Sequence, residues 1–104
     1  MYRVAIEFLA LAADVSTAVP RGYASLADQL RRAATSSPLN IAEAAGRASY
    51  RDAARHFTIA RGSAMECAAV LDALKVLGAI DDGDYERGLD LLTRQVAMLT
   101  KLCR

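Results

Sequence analysis

The 104-residue chain has few of the residues from which catalytic and metal sites are built. It contains one histidine, His56, two cysteines, Cys67 and Cys103, two prolines and no tryptophan. The cysteines form no CxxC pair and have no histidine beside them, so neither a disulfide framework nor a zinc site is predicted. No pairing of a nucleophile with a base is recognisable, and no glycine-rich loop follows a strand. We therefore predict no enzymatic activity, no cofactor, no metal ion and no small-molecule substrate.

Long apolar segments and targeting signals are also missing. No apolar run reaches the length that crosses a membrane, and no signal peptide opens the sequence. We therefore expect a soluble cytoplasmic protein with no membrane partner. The hydrophobic fraction is nevertheless 54%, and 22 of these residues are alanines, whose small side chains suit closely packed helices.

Neither sign of charge dominates the chain, whose formal net charge is +1. The protein as a whole therefore lacks the charge of a polyanion binder. The two signs are segregated, however, because residues 31–61 have a net charge of +4 and residues 66–90 a net charge of −5. One part of the molecule is expected to be basic and another acidic.

Glycine and proline divide the chain into four segments with helical periodicity, and no segment alternates as a strand does. The segments predict helices at about 3–18, 23–46, 49–77 and 81–102. Pro38 lies inside the second segment, where it removes a backbone donor and should bend the helix. Residues 1–104 are therefore predicted to form a single domain, an all-α, up-down-up-down antiparallel, left-handed four-helix bundle.

Apolar residues recur at intervals of three and four along these helices, as expected for faces that form a core. In the third helix the predicted core positions are Tyr50, Ala53, Phe57, Ala60, Ala64, Cys67, Leu71 and Leu74. In the fourth they are Tyr85, Leu89, Leu92, Val96, Leu99 and Cys103. A second apolar stripe comprises Ile6, Leu9 and Ala13 in the first helix and Leu91, Met98 and Leu102 in the fourth. We interpret the second stripes as a homo-oligomer interface, because one bundle does not need two stripes per helix.

Three local features have simple structural interpretations. Both cysteines fall on core positions, which predicts unreactive buried thiols. Gly62 is expected to let two helix backbones approach closely. The acids at the start of the fourth helix lack the spacing of a calcium loop and suit the positive end of the helix dipole. These acids are Asp81, Asp82, Asp84 and Glu86.

The second helix carries a polar stripe where a core helix would carry leucines. Its members follow one another at steps of four, four, three and four, and they are Arg32, Ser36, Asn40, Glu43 and Arg47. The stripe does not contain a nucleophile with a base or a set of metal ligands, so a catalytic role is not favoured. It is either a structural network or part of a binding surface.

The structural interpretation depends on the partners that an antiparallel third helix would offer. Arg32 would be level with Ser63 and Glu66, and Asn40 would be level with Arg55. The expected ion pairs join Arg32 to Glu66, and Glu43 to Arg47, Arg51 or Arg55. The predicted polar network, which would fix the packing register, consists of Arg32, Ser36, Asn40, Glu43, Arg61, Ser63 and Glu66.

The alternative is a surface that binds nucleic acid. Three arginines at steps of four can track a phosphate backbone, and a fourth can extend the patch. These candidate nucleic-acid-binding residues are Arg47, Arg51 and Arg55 and, earlier in the chain, Arg31. The aromatic residues near them, Tyr50 and Phe57, fall on predicted core positions, so reading of single strands by base stacking is not expected. His56 is expected at the surface or at an interface.

Three segments together resemble the four-helix-bundle proteins encoded by intervening sequences in 23S ribosomal RNA genes. They are QLRRAATSSPLNIAEAAGR, FTIARGSAME and LGAIDDGDYERGLDLL, and they occur in order from about Pro20 to Leu102. The matching residues of the first two segments are Gln29, Arg32, Ala33, Ser36, Pro38, Asn40, Ile41, Ala42, Glu43, Arg47, Phe57, Ala60, Gly62, Ser63 and Glu66. Ser37 and Ala44 depart from the pattern, which usually has isoleucine and glycine there.

The resemblance implies a bacterial helical bundle that assembles into a homopentamer and has no enzymatic activity. It also implies a nucleic-acid association, best supported for the related accessory variability proteins of diversity-generating retroelements, which are more basic than this chain. Two functions stay open at this point. One is an oligomeric bundle that binds structured RNA or DNA through the basic patch at the junction of helices two and three. The other is a self-assembling scaffold with a protein partner and no nucleic-acid binding.

Overall fold

The computed structural model describes residues 1–103, and in this range the chain forms four α-helices and no strand. The helices are α1 (Tyr2–Ala18), α2 (Ala24–Ala45), α3 (Tyr50–Val76) and α4 (Asp82–Thr100). A single turn of 3-10 helix, Arg21–Tyr23, precedes α2. The predicted all-α fold is confirmed. Each boundary lies within about two residues of the one that glycine, proline and periodicity indicate.

Side-chain caps explain where α3 and α4 begin. The Ser49 hydroxyl accepts a hydrogen bond from the backbone N–H of Asp52, and the Asp81 carboxylate accepts one from the N–H of Asp84 at 3.0 Å. Such bonds satisfy backbone donors that have no partner in the first turn of a helix. The bond from Asp84 also holds the pKa of the Asp81 carboxyl below its ordinary value. The acids at the start of α4 therefore include a helix cap, and they lie at the positive end of the helix dipole.

The core is shared by all four helices. α1 packs against α2 and α4, and α3 packs against the same two helices. One buried cluster fills the middle of the molecule, with Phe8, Leu30, Leu71 and Leu74 among its largest members. A smaller cluster near one end consists of Ala5, Ile41, Ala60 and Leu99, with Met1 and Phe57 packed against it.

Gly88 allows α4 to come close to α1 and α3. A Cβ atom at this position would lie 2.7 Å from Leu71 Cδ1 and 3.5 Å from side-chain atoms of Phe8 and Leu11. All three neighbours are buried in the main cluster and have little room to move. The absence of a side chain at Gly88 therefore sets how closely α4 packs on the core.

Gly88→Ala is expected to destabilise the fold by about 1 kcal/mol. Overpacking a core costs roughly 1–3 kcal/mol, whereas alanine in place of a helical glycine returns up to about 1 kcal/mol. Urea unfolding at one fixed protein concentration measures the difference. The control is Gly22→Ala, where an added Cβ meets no atom within 4 Å. An increase in stability for Gly88→Ala would contradict the packing argument.

The predicted burial of two residues is wrong. Tyr50, placed on the core side of the third helix, is 76% exposed, because it lies in the first turn of α3, beyond the end cluster. Leu91, assigned to an outer stripe, is 1% exposed and belongs to the main cluster. The buried side of α4 is rotated toward Gly88, Leu91 and Gln95, so Leu89 and Val96 lie at its edge and are only partly buried.

Pro38 and Gly62 also differ in part from expectation. α2 continues through Pro38 to Ala45, and the bend there stays a prediction. Gly62 is exposed on α3, and a Cβ placed on it would meet nothing within 4 Å in residues 1–103. No close approach of two helix backbones occurs at Gly62 within residues 1–103.

Candidate functional site

Side chains of the polar stripe join α2 to α3. Each of three hydrogen bonds links one residue of α2 to one of α3, namely Ser63 Oγ to Ser36 Oγ at 2.9 Å, Ser37 Oγ to the Ala60 carbonyl at 3.0 Å, and His56 Nδ1 to Asn40 Oδ1 at 3.1 Å. The partner number on α3 falls as the number on α2 rises, so these two helices run in opposite directions. Ser36, Asn40 and Ser63 of the predicted network are thus brought together.

Asn40 and His56 form the outer part of this junction. The Asn40 amide nitrogen donates to the Ser36 carbonyl at 3.0 Å and to the Ser36 hydroxyl at 3.3 Å, so the amide oxygen faces the imidazole. Because that oxygen can only accept, His56 Nδ1 carries the hydrogen. His56 Nε2 is buried and has no hydrogen-bond partner within the part of the chain that is described. The half-buried histidine therefore donates a hydrogen bond from α3 to α2.

The inner part of the junction is a buried bridge across three helices. The Ser37 hydroxyl donates to the Ala60 carbonyl and accepts a hydrogen bond from Gln95 Nε2 of α4. Gln95 is 1% exposed, and its Oε1 atom has no hydrogen-bond partner among residues 1–103. Burying a polar group without a partner is costly, so the Gln95 amide depends on the Ser37 hydroxyl as its acceptor.

Ser37→Ala is expected to cost about 1–3 kcal/mol, because it leaves the buried Gln95 amide without its partner, whereas the Ala60 carbonyl keeps its hydrogen bond within α3. Gln95→Leu should cost less, because the Ser37 hydroxyl can still donate to Ala60. The double substitution should recover most of the loss, since both partners are then apolar. Urea unfolding of the four proteins tests this cycle. Additive single-site costs would show that the two side chains are not coupled.

The charged members of the predicted network are not part of this junction. Glu43 pairs with Arg47, whose Nη2 atom lies 2.7 Å from Glu43 Oε2, and both side chains are exposed. The expected pair between Arg32 and Glu66 is wrong, since no ion pair within 4 Å involves either residue among residues 1–103. Both side chains are exposed, and an isolated surface pair gains only about 0–1 kcal/mol against the entropy of two long chains.

Arg61, the remaining member of the network, is half-buried on α3. It makes no ion pair within 4 Å inside the described range. The junction therefore consists of uncharged groups and the imidazole, while the arginines and acids of the stripe lie around it. Neutral partners avoid the desolvation cost that a buried ion pair would carry.

The basic patch lies where α2 turns into α3. Arg47 follows the end of α2, and Arg51 and Arg55 lie on the first two turns of α3, all three exposed. Arg51 and Arg55 have no ion-pair partner within 4 Å in residues 1–103. The exposed ring of Tyr50 lies between Arg47 and Arg51 in the sequence. The patch thus contains an aromatic ring that the heptad pattern had assigned to the core.

Arg31 is separate from the other three arginines. It lies on α2, 16 residues before Arg47 in the numbering, which corresponds to about 24 Å along a helix. Its Nη1 atom is 3.2 Å from the Asp28 carboxylate. A ligand would have to be at least this long to contact both Arg31 and the basic patch of Arg47, Arg51 and Arg55.

The acidic residues lie at the other end of α3. Its 27 residues span about 40 Å at 1.5 Å per residue, close to the longest dimension of the molecule, 43 Å. The N-terminal end of α3 carries the basic patch, and its C-terminal end leads to Asp81, Asp82 and Asp84. The charge segregation in the sequence thus becomes a separation along the long axis.

The two cysteines differ in their surroundings. Cys67 is buried in the main core cluster, and burial, reinforced by the negative charge of Glu66, raises the pKa of its thiol to about 12. Cys103 is half-buried and donates a hydrogen bond to the Leu99 carbonyl. The predicted burial is confirmed for Cys67, whereas Cys103 is only partly covered.

Alkylation at pH 8 is expected to label Cys103 and to leave Cys67 unmodified until the protein unfolds, because the thiolate is the reactive form. Mass spectrometry should find one adduct on the native protein and two in denaturant.

The Cys67 thiol also makes the free energy of unfolding depend on pH. Its contribution is fully present below its ordinary pKa of 9.0 and is lost as the pH rises toward 12. In the alkylation experiment, two adducts on the native protein at pH 8 would contradict the burial of Cys67.

The fold and the site define a small helical protein with a polar junction between its helices and opposite charges at its two ends. The family of 23S rRNA-intervening sequence proteins matches residues 1–101, and the chain belongs to this family. No curated protein matches the chain in sequence. Among residues 1–103 no helix is long and apolar enough to cross a membrane, and no three His, Cys, Asp or Glu side chains are grouped to hold a metal ion.

Proposed function

We propose that the protein is a non-enzymatic homo-oligomeric helical bundle of the bacterial cytoplasm that binds structured RNA or DNA through its basic patch. The observation that carries this proposal is the exposed ring of Tyr50 beside Arg51 in the sequence, with Arg47 before it and Arg55 one turn further along α3. Arg51 and Arg55 have no acidic partner within 4 Å inside the described range. Membership of a family named for ribosomal RNA genes supports an RNA-related role.

The chemistry of the patch suits a nucleic acid with unpaired bases. Guanidinium groups bind phosphate oxygens in a bidentate manner, and the N-terminal end of α3 adds a positive potential beside them. An exposed tyrosine ring offers a face on which one unpaired base can stack. Such a site fits a loop or bulge next to a duplex, with the arginines on the backbone and Tyr50 on the base.

The proposed architecture is an up-down-up-down, left-handed four-helix bundle. In support, the end cluster combines the start of α1 with the end of α2, and the first half of α3 with the end of α4. Neighbouring helices whose opposite ends meet run in alternating directions. The seven-residue spacing of buried Ala60, Cys67 and Leu74 on α3 favours helices that cross at shallow angles with a left-handed twist.

The proposed assembly is a ring of five copies, as the family resemblance implies. Three arginines and one tyrosine form a small patch, and a ring would present it several times to one ligand. Multiple contacts of this kind raise overall affinity without any new contact in a single copy. Exposed Ile6 and Ala13 and half-buried Leu9 on α1 are available for contacts between copies.

A salt titration with an RNA hairpin tests the binding site. Arg47→Ala combined with Arg51→Ala should weaken binding about tenfold or more at low salt and reduce the slope of log affinity against log salt by about 2. Arg21→Ala combined with Arg87→Ala removes the same charge away from the patch and is the control. Fluorescence anisotropy between about 50 and 200 mM salt gives both quantities.

Further variants separate the parts of the site. Tyr50→Ala should weaken binding to a hairpin with an unpaired loop but not to a blunt duplex. Arg31→Ala should matter only for ligands longer than about 24 Å, or about seven base pairs at 3.4 Å. Absence of binding at low salt, or equal losses in patch and control variants, would sink the nucleic-acid proposal. The alternative would then be a scaffold with a protein partner at the acidic end.

A further inference from the structure

One outer face of α3 is exposed to solvent and has a sequence that complements itself. Its residues recur at steps of four and three and are all exposed, namely Arg55, Ile59, Gly62, Glu66 and Ala69. We propose that this face, termed the α3 face, binds the α3 face of a second copy in an antiparallel arrangement about a two-fold axis. The proposal rests on the self-association proposed above and adds to it a contact other than the ring contact.

Charge is the first argument for this partner. Arg55 and Glu66 are 11 residues apart, about three helical turns, and therefore lie on one line along α3. Neither makes an ion pair within 4 Å among residues 1–103. A two-fold axis between Ala60 and Arg61 places Arg55 opposite the partner's Glu66, and Glu66 opposite the partner's Arg55. A parallel arrangement in register would instead bring like charges together.

Shape is the second argument. The same axis places Ile59, 43% exposed, opposite Gly62 of the partner subunit, and the reverse contact forms by symmetry. An added Cβ on Gly62 would meet nothing within 4 Å in the described part of its own chain, so space for the isoleucine exists there. A glycine on an exposed helix lowers helix stability by about 1 kcal/mol relative to alanine. Within residues 1–103 no neighbouring atom requires that Gly62 lack a side chain. Met65, 56% exposed, adds apolar area beside this pair.

The symmetry of the contact separates it from a ring contact. A two-fold contact uses the same surface on both copies and closes after two. It therefore joins two single chains, or one chain from each of two rings, and it cannot by itself build a ring of five. Ring contacts would have to use another surface, such as that of Ile6 on α1. Arg55 is the one member of the basic patch that the contact uses, and Arg47, Tyr50 and Arg51 precede it in the chain.

Charge reversal with mass measurement tests the proposal. Arg55→Glu creates two contacts between glutamates, and Glu66→Arg creates two between arginines. Each single variant should halve the mass measured by light scattering and raise the dissociation constant at least about 100-fold. An equimolar mixture of the two variants should recover the original mass, because every contact across the axis is then between opposite charges. Arg21→Glu, an identical charge change on an exposed turn, should leave the mass unchanged.

Gly62→Leu is the second variant, because it fills the space that Ile59 of the partner would occupy. It should also halve the mass while circular dichroism shows the helix content of the parent. An unchanged mass for Arg55→Glu or Gly62→Leu, or no recovery in the mixture, would overturn the proposed contact. A parent mass of one chain up to about 100 μM would overturn it together with the proposed self-association. The RNA titration changes Arg47 and Arg51 and leaves Arg55, Gly62 and Glu66 in place, so the two proposals can fail separately.

Discussion

A single buried hydroxyl group, that of Ser37, joins three of the four helices. It donates to the Ala60 carbonyl of α3 and accepts from the Gln95 amide of α4. In an apolar interior a polar group without a partner is costly, whereas apolar side chains tolerate sliding of one helix against another. The packing register of α2, α3 and α4 therefore depends on this bridge more than on the leucines around it. The Ser36 and Asn40 bonds to α3 repeat the same constraint nearer the surface.

The bridge also determines which way the other side chains of the polar stripe face. With Ser37 turned toward the core, Arg32 and Glu43 fall on the solvent side of α2, where charges keep their hydration. They lie beside the junction of Ser36, Asn40, His56 and Ser63 and do not complete it. The expected pair of Arg32 with Glu66 was wrong for this reason, whereas the expected pair of Glu43 with Arg47 forms at the surface. The serine and asparagine side chains of the stripe join the helices instead.

Helices and their ends could be predicted from the sequence, because periodicity, caps and glycines act locally. The α2–α3 register was nearly right, since a short turn leaves an antiparallel pair little freedom. The buried face of α4 could not be predicted by counting apolar residues, because Gln95 is buried only where Ser37 meets it across the core. Tyr50 was misplaced because a heptad pattern does not indicate where a helix extends beyond its core. The basic patch was therefore found from its arginines, while its aromatic member was missed.

In the proposed two-fold pair, the segregation of charge along the chain favours antiparallel association of two copies. Within one copy the basic and acidic halves of α3 lie too far apart to pair, because interactions between exposed charges fade over about 10 Å at moderate salt. Antiparallel pairing sets the basic half of each α3 beside the acidic half of its partner's. The near-zero net charge of the chain then matters as much as its pattern, since two strongly basic copies would repel each other. A modestly charged member of the family can thus keep a local basic patch and still associate with itself.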